Sequence, residues 1–126
     1  MKDDSKEWCQ YTNLRTEAVL KEDKEDFPAP RYAPCLINYQ NEAIFVCSGY
    51  QNTTCYKYSP GDDRWSEAPS VNIPRQNASG CCLGDKIYVF CGFREPDYTD
   101  TIEVMDARNL LAGSRATWAL LDVVIG

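Results

Sequence analysis

Seven cysteines and no histidine define the chemistry open to this chain of 126 residues. Thiolates can attack, ligate metals or pair with one another, and the available thiols are Cys9, Cys35, Cys47, Cys55, Cys81, Cys82 and Cys91. Without His the chain lacks the usual general base, the Ser/His and Cys/His nucleophile pairs and most zinc ligand sets. No Cys-x-x-Cys occurs, Cys81 and Cys82 are adjacent, and an odd number cannot all pair within the chain. Two readings remain open. The thiols are small buried hydrophobes of a reducing compartment, which implies the cytoplasm, or some form disulfides in a secreted protein. The sequons Asn52-Thr53-Thr54 and Asn77-Ala78-Ser79 suit the second reading, but seven Asn with 14 Ser and Thr yield about one by chance. Among the carboxylates, Asp62-Asp63 fall in a turn cluster, and Asp97 and Asp100 have no partner base. No nucleophile has an activating neighbour. The expectation is a non-enzyme with no catalytic residue, no metal ligand set and no cofactor.

Composition narrows the partners. Charged residues at 25% and hydrophobic residues at 44% are ordinary globular values. A net charge of −6 argues against a nucleic-acid surface and against anionic membranes. No apolar run is long enough for a membrane-spanning helix, and no apolar segment behind Met1–Glu7 reads as a signal peptide.

The elements that must position these residues are short strands. Residues 1–27 are polar and charge-dense, ending in Lys21-Glu22-Asp23-Lys24-Glu25-Asp26, with a strand expected in Trp8–Leu14. From Pro28 onward, β-forming runs alternate with turn signals: Ala43–Cys47, Thr53–Tyr58, Ile87–Cys91, Thr101–Met105 and Thr117–Asp122. Asp106–Ala112 is expected to make one helical turn ended by Gly113. The chain is predicted all-β and antiparallel.

Aligning the chain with itself exposes a repeat. Pro30-Arg31 matches Pro74-Arg75, 44 residues on, and Ile44–Tyr50 matches Ile87–Phe93, 43 residues on. Cys55–Pro60 matches Ile102–Ala107, with the longer loop Phe93–Thr101 accounting for the larger offset. Trp8, Trp65 and Trp118 recur at spacings of 57 and 53. Each unit reads Pro-Arg, strand a, turn, strand b ending in a small residue and Gly, loop, strand c, turn, and Trp on strand d. A blade of four strands cannot bury both faces alone, so such units stack.

This order resembles the kelch repeat, over residues 28–122. The resemblance implies four-stranded antiparallel blades of a β-propeller at 28–71 and 72–126, with Trp8 marking a preceding blade. Propellers need about four to eight blades. The resemblance therefore implies further blades, from the rest of a longer chain or from other copies. The kelch Gly-Gly pair is Ser48-Gly49 and Cys91-Gly92 here, with only the second Gly kept. Gly49, Gly92, Arg31, Arg75 and the three Trp are expected to be structural, with the arginines bonding carbonyls of a neighbouring blade; the alternative is that the arginines face a ligand. Kelch-like propellers mostly bind partner proteins through loops, in ubiquitin-ligase substrate capture or cytoskeletal attachment. The matching loop positions are Tyr50, Gln51, Asn52, Phe93, Arg94, Glu95, Asp97, Tyr98 and Asn77. Ala33 and Asn77 stand where peptide-capturing members can carry Arg, so an acidic-peptide pocket is not supported. A structural subunit of a large assembly is the alternative, and a kelch-type enzyme is a third.

Overall fold

A computed structural model describes residues 27–94 and 96–121, with the backbone of 10–11 and 20–21. Trp8, Cys9 and Glu95 lie outside the described residues. In chain order the elements are β1 (Gln10–Tyr11), β2 (Leu20–Lys21), β3 (Cys35–Tyr39), β4 (Ala43–Gly49), β5 (Asn52–Ser59) and β6 (Arg64–Ala68). They continue with β7 (Ser79–Leu83), β8 (Lys86–Phe90), β9 (Phe93–Arg94), β10 (Asp97–Tyr98), β11 (Ile102–Asp106), α1 (Ala107–Leu111) and β12 (Ala119–Leu121). β1 pairs with β2.

Two antiparallel four-stranded meanders carry the fold, β3-β4-β5-β6 and β7-β8-β11-β12. The turns follow from sequence. Gln40 and Asn41 take φ of 49° and 58° between β3 and β4, a tight hairpin that Glu42 N–H closes onto Tyr39 O at 2.9 Å. Gly84, at φ 60°, makes the equivalent turn between β7 and β8. Asp106 caps α1 by accepting from Asn109 N–H at 2.9 Å, and Gly113, at φ 87°, follows the helix. The extra residues between β8 and β11 fold as the small β9-β10 hairpin.

The sheets stack face to face around one apolar cluster. Cys35, Ile37, Phe45 and Cys47 of the first sheet meet Ile87, Val89, Met105 and Trp118 of the second. Gly80 makes the close approach possible. A Cβ there would lie 2.6 Å from Cys35 Sγ and 2.7 Å from Ile37 Cγ1. Trp118 fills the seam and donates its indole N–H to Pro69 O at 2.7 Å, tying the second sheet to the end of the first. At the β3-β4 turn end, Arg108 lies over the Tyr39 ring and pairs with Glu42, while Gln40 Nε2 donates to Gly84 O at 2.7 Å. β4 is covered on both faces, whereas β8 buries Ile87 and Val89 and leaves Tyr88 and Phe90 half-buried. These two sheets form an arc and do not close a ring.

Candidate functional site

Two arginines hold the end of the arc opposite the tight β3-β4 and β7-β8 hairpins. Arg75 is fully buried. Its Nη1 donates to Cys91 O at 2.9 Å and Thr101 O at 2.8 Å, and its Nη2 to Thr101 Oγ1 at 2.8 Å and Glu103 Oε2 at 3.2 Å. Arg31 repeats the pattern one unit earlier, with Nη1 donating to Ser48 O and Thr54 O. The sequence reading expected both to reach a neighbouring blade. Each guanidinium instead ties strands b and c of its own sheet, because the residue preceding strand a lies beside its own b–c loop. Arg75 reaches the other sheet through its backbone, whose N–H donates to Ser48 Oγ at 2.6 Å. Ser48 Oγ in turn donates to Asn52 O at 2.8 Å, fixing the β4-β5 loop.

The two units differ beside these arginines. Glu103 stands opposite Val89, and its counterpart Tyr56 stands opposite Val46. The Glu103 carboxylate is fully buried and accepts from Asn72 N–H at 2.6 Å and Ile73 N–H at 3.2 Å besides Arg75. In the first unit the Tyr56 and Phe27 rings lie 5.4 and 5.5 Å from the Arg31 guanidinium carbon. Rings accept no in-plane hydrogen bond, so Arg31 Nη2 is buried with no hydrogen-bond partner among the described residues. Burial lowers the Arg31 pKa.

On this frame the β4-β5 loop and the start of β9 converge. Tyr50, Gln51, Pro74, Gln76, Phe93 and Arg94 line a groove of about 200 Å³ between the sheets. Tyr50 N–H bonds Tyr32 O, and Gln76 and Phe93 exchange both backbone hydrogen bonds, at 2.9 and 2.7 Å. Two edge-to-face aromatic pairs, Tyr32–Tyr50 and Phe93–Tyr98, involve the lining Tyr50 and Phe93. Tyr32, Tyr50 and Tyr98 are 56%, 47% and 80% exposed, which leaves three large rings in solvent at one end of the arc.

Compared with known protein families, residues 74–109 match the Kelch motif. The chain is a kelch-repeat protein. It is 38% identical to human Kelch-like protein 4 over 52 residues, 41% of this chain and 7% of that protein. It is 30% identical to a putative F-box/kelch-repeat protein of Arabidopsis thaliana over 111 residues, 77% of this chain and 28% of the relative. It is 31% identical to Kelch repeat and BTB domain-containing protein 1 of Camelpox virus over 71 residues, 50% and 13% of the two chains. The chain thus spans less than a third of the length of these relatives.

In this kelch frame the missing first glycines acquire a cost. Ser48 and Cys91 both hold φ of 62°, so the left-handed conformation that favours Gly persists without it. Gly49, at φ 136°, and Gly92, at φ 92°, complete the bends. Tyr50, Gln51, Phe93 and Arg94 meet at the groove, whereas Asp97 and Tyr98 belong to the β9-β10 hairpin beside it. Asn52 does not present its side chain freely; its Oδ1 accepts from Thr54 N–H at 2.9 Å and Oγ1 at 2.7 Å. Asn77, at φ 57°, is exposed and gives its backbone N–H to Ala33 O. Trp118 is buried in the seam, but Trp65 is only half-buried, between Phe27 at 4.7 Å and Tyr58 at 5.1 Å. Sequence reasoning missed Pro74 and Gln76 as lining residues, although the repeated Pro-Arg step stood beside them.

The thiols are placed for packing. Cys35, Cys47 and Cys55 form a row across β3, β4 and β5 and are at most 3% exposed. Burial pushes the Cys35 thiol up to about 12. The hydrogen bond between the Cys47 and Cys55 thiols, then burial, holds Cys47 well above the usual range, and the same bond lowers Cys55. All the described cysteines are unpaired, and Cys91 alone among them is exposed. Among the described residues no cluster of His, Cys, Asp and Glu is arranged to hold a metal, and no helix is long and apolar enough to cross a membrane.

Proposed function

We propose that the chain is a protein-interaction module that captures a partner protein at the groove end of its blades. The observation that carries this reading is convergence: equivalent loops of two separate repeats bring Tyr50, Gln51, Phe93 and Arg94 to one groove. Exposed aromatic rings and an Arg on a braced frame suit a protein interface. F-box/kelch and BTB/kelch relatives support a place in a larger polypeptide or assembly, and substrate capture for ubiquitin ligation is the role we assign within it. Further blades complete the propeller in this reading. Free, unpaired thiols side by side in the core favour a reducing, cytoplasmic setting. A structural-subunit role is favoured by a different observation, the partly uncovered face of β7 and β8, where Leu83 is 63% exposed.

The test is the double variant Tyr50→Ala with Phe93→Ala. Partner capture should fall by about tenfold or more while the melting temperature holds, since hot-spot rings act in the complex. Parallel loss of capture and stability would assign the rings to the fold instead.

A further inference from the structure

Resting on that reading, we propose that the groove takes an extended, proline-containing segment of the partner in polyproline II form. The groove's own groups decide among the ways proteins hold peptides. Strand addition needs free backbone edges, but Gln76 and Phe93 bond each other, and Tyr50 N–H and Asn77 N–H are taken by Tyr32 O and Ala33 O. A helix needs anchors spread over two turns, and about 200 Å³ holds only a side chain or two. Acidic or phosphorylated peptides need clustered arginines, but among the described residues Arg94 is the one cation lining the groove, and the Arg31 and Arg75 Nη1 groups point at carbonyls. The chain's net charge of −6 also repels an acidic ligand.

What remains is an aromatic and prolyl lining with donors at its rim. Tyr50, Phe93 and Pro74 supply apolar contact for pyrrolidine rings. Gln51, Gln76 and Arg94 can donate to peptide carbonyls, which a polyproline II segment leaves free of internal hydrogen bonds. Such a segment is already extended, so little conformational entropy is lost on binding.

The experiment selects from a phage-displayed library of random peptides of about 12 residues on the full 126-residue chain. A synthetic peptide from the selected pool and its Pro→Ala form are then titrated by fluorescence. The expected result is enrichment of Pro at i and i+3. Affinity should fall by about tenfold or more on Pro→Ala in the peptide, and on Tyr50→Ala in the protein with its unfolding midpoint unchanged. Should Tyr50→Ala lower the midpoint, exposed Gln51→Ala serves as the second variant. Groove-dependent peptides that are acidic or helical, without Pro enrichment, overturn this inference and leave partner capture at the groove standing. A pool with no groove-dependent binder overturns both.

Discussion

Replacing Glu103 tests the frame that holds the groove. Its carboxylate is fully buried and receives Arg75 Nε and Nη2 at 3.2 Å, Asn72 N–H at 2.6 Å and Asn72 Nδ2 at 2.9 Å, and Ile73 N–H at 3.2 Å. Glu103→Ala leaves a buried guanidinium without its counter-ion, at a cost of about 3–5 kcal/mol. It also strands backbone donors, each worth about 1–3 kcal/mol where no water replaces the carboxylate. Domains of this kind have only about 5–15 kcal/mol in total, so the Ala variant should be largely unfolded or poorly expressed. Glu103→Gln is the measurable version. It keeps one acceptor oxygen for Asn72 but places an amide NH2, itself a donor, where Oε2 accepts from Arg75 and Ile73 N–H, which should cost about 2–3 kcal/mol. Urea unfolding followed by far-ultraviolet circular dichroism reads this as a lower midpoint at unchanged slope. Glu42→Gln is the control, because the Arg108–Glu42 pair has side chains 40% and 48% exposed and should shift the midpoint little. A Glu103→Gln cost below about 1 kcal/mol, or one equal to the control, would refute the reasoning.

Two further outcomes follow from local geometry. Ser48 and Cys91 occupy the same left-handed kelch position, yet Gly should act oppositely at the two. Cys91→Gly relieves about 1–2 kcal/mol of backbone strain and gives back about 0.4–1 through the unfolded chain, so stability should hold or rise slightly in thermal unfolding. Ser48→Gly gains the same relief but loses the bonds of Ser48 Oγ to Arg75 N–H and Asn52 O, so it should lose about 1–2 kcal/mol net. Maleimide labelling of native protein near pH 8, read by peptide mass mapping, should modify exposed Cys91 ahead of the other described cysteines and leave Cys35 and Cys47 unmodified until denaturant is added.

Much of the frame was legible because the repeat keeps its offset through strand b, so register, turns and the Pro-Arg step could be read by laying one unit on the other. The helical turn at Asp106–Ala112 was legible with Gly113 beyond it, and the structure adds that Asp106 is its cap. What escaped depends on differences between units or on contacts between them. The acid partner of Arg75 carried no repeat signal, since Tyr56 stands in the matching place of the first unit. Pro74 and Gln76 line the groove only because the sheets stack, a contact that spacing along the chain does not encode. Cys91 follows Val89-Phe90 and reads as buried, but β8 ends at Phe90 and the left-handed bend turns Cys91 outward. Asn52 reads as a free polar loop residue, and its bonds to Thr54 bend it back on its own strand.

Partner capture at the groove end is tested most directly by site-specific photocrosslinking in cells. A photoreactive side chain is placed at Tyr50 on the groove or, as the control, at Asn41 in the hairpin at the opposite end. Adducts of defined mass from position 50, and none from position 41, are the expected result. Equal adducts from both positions, or adducts from position 41 alone, would contradict it.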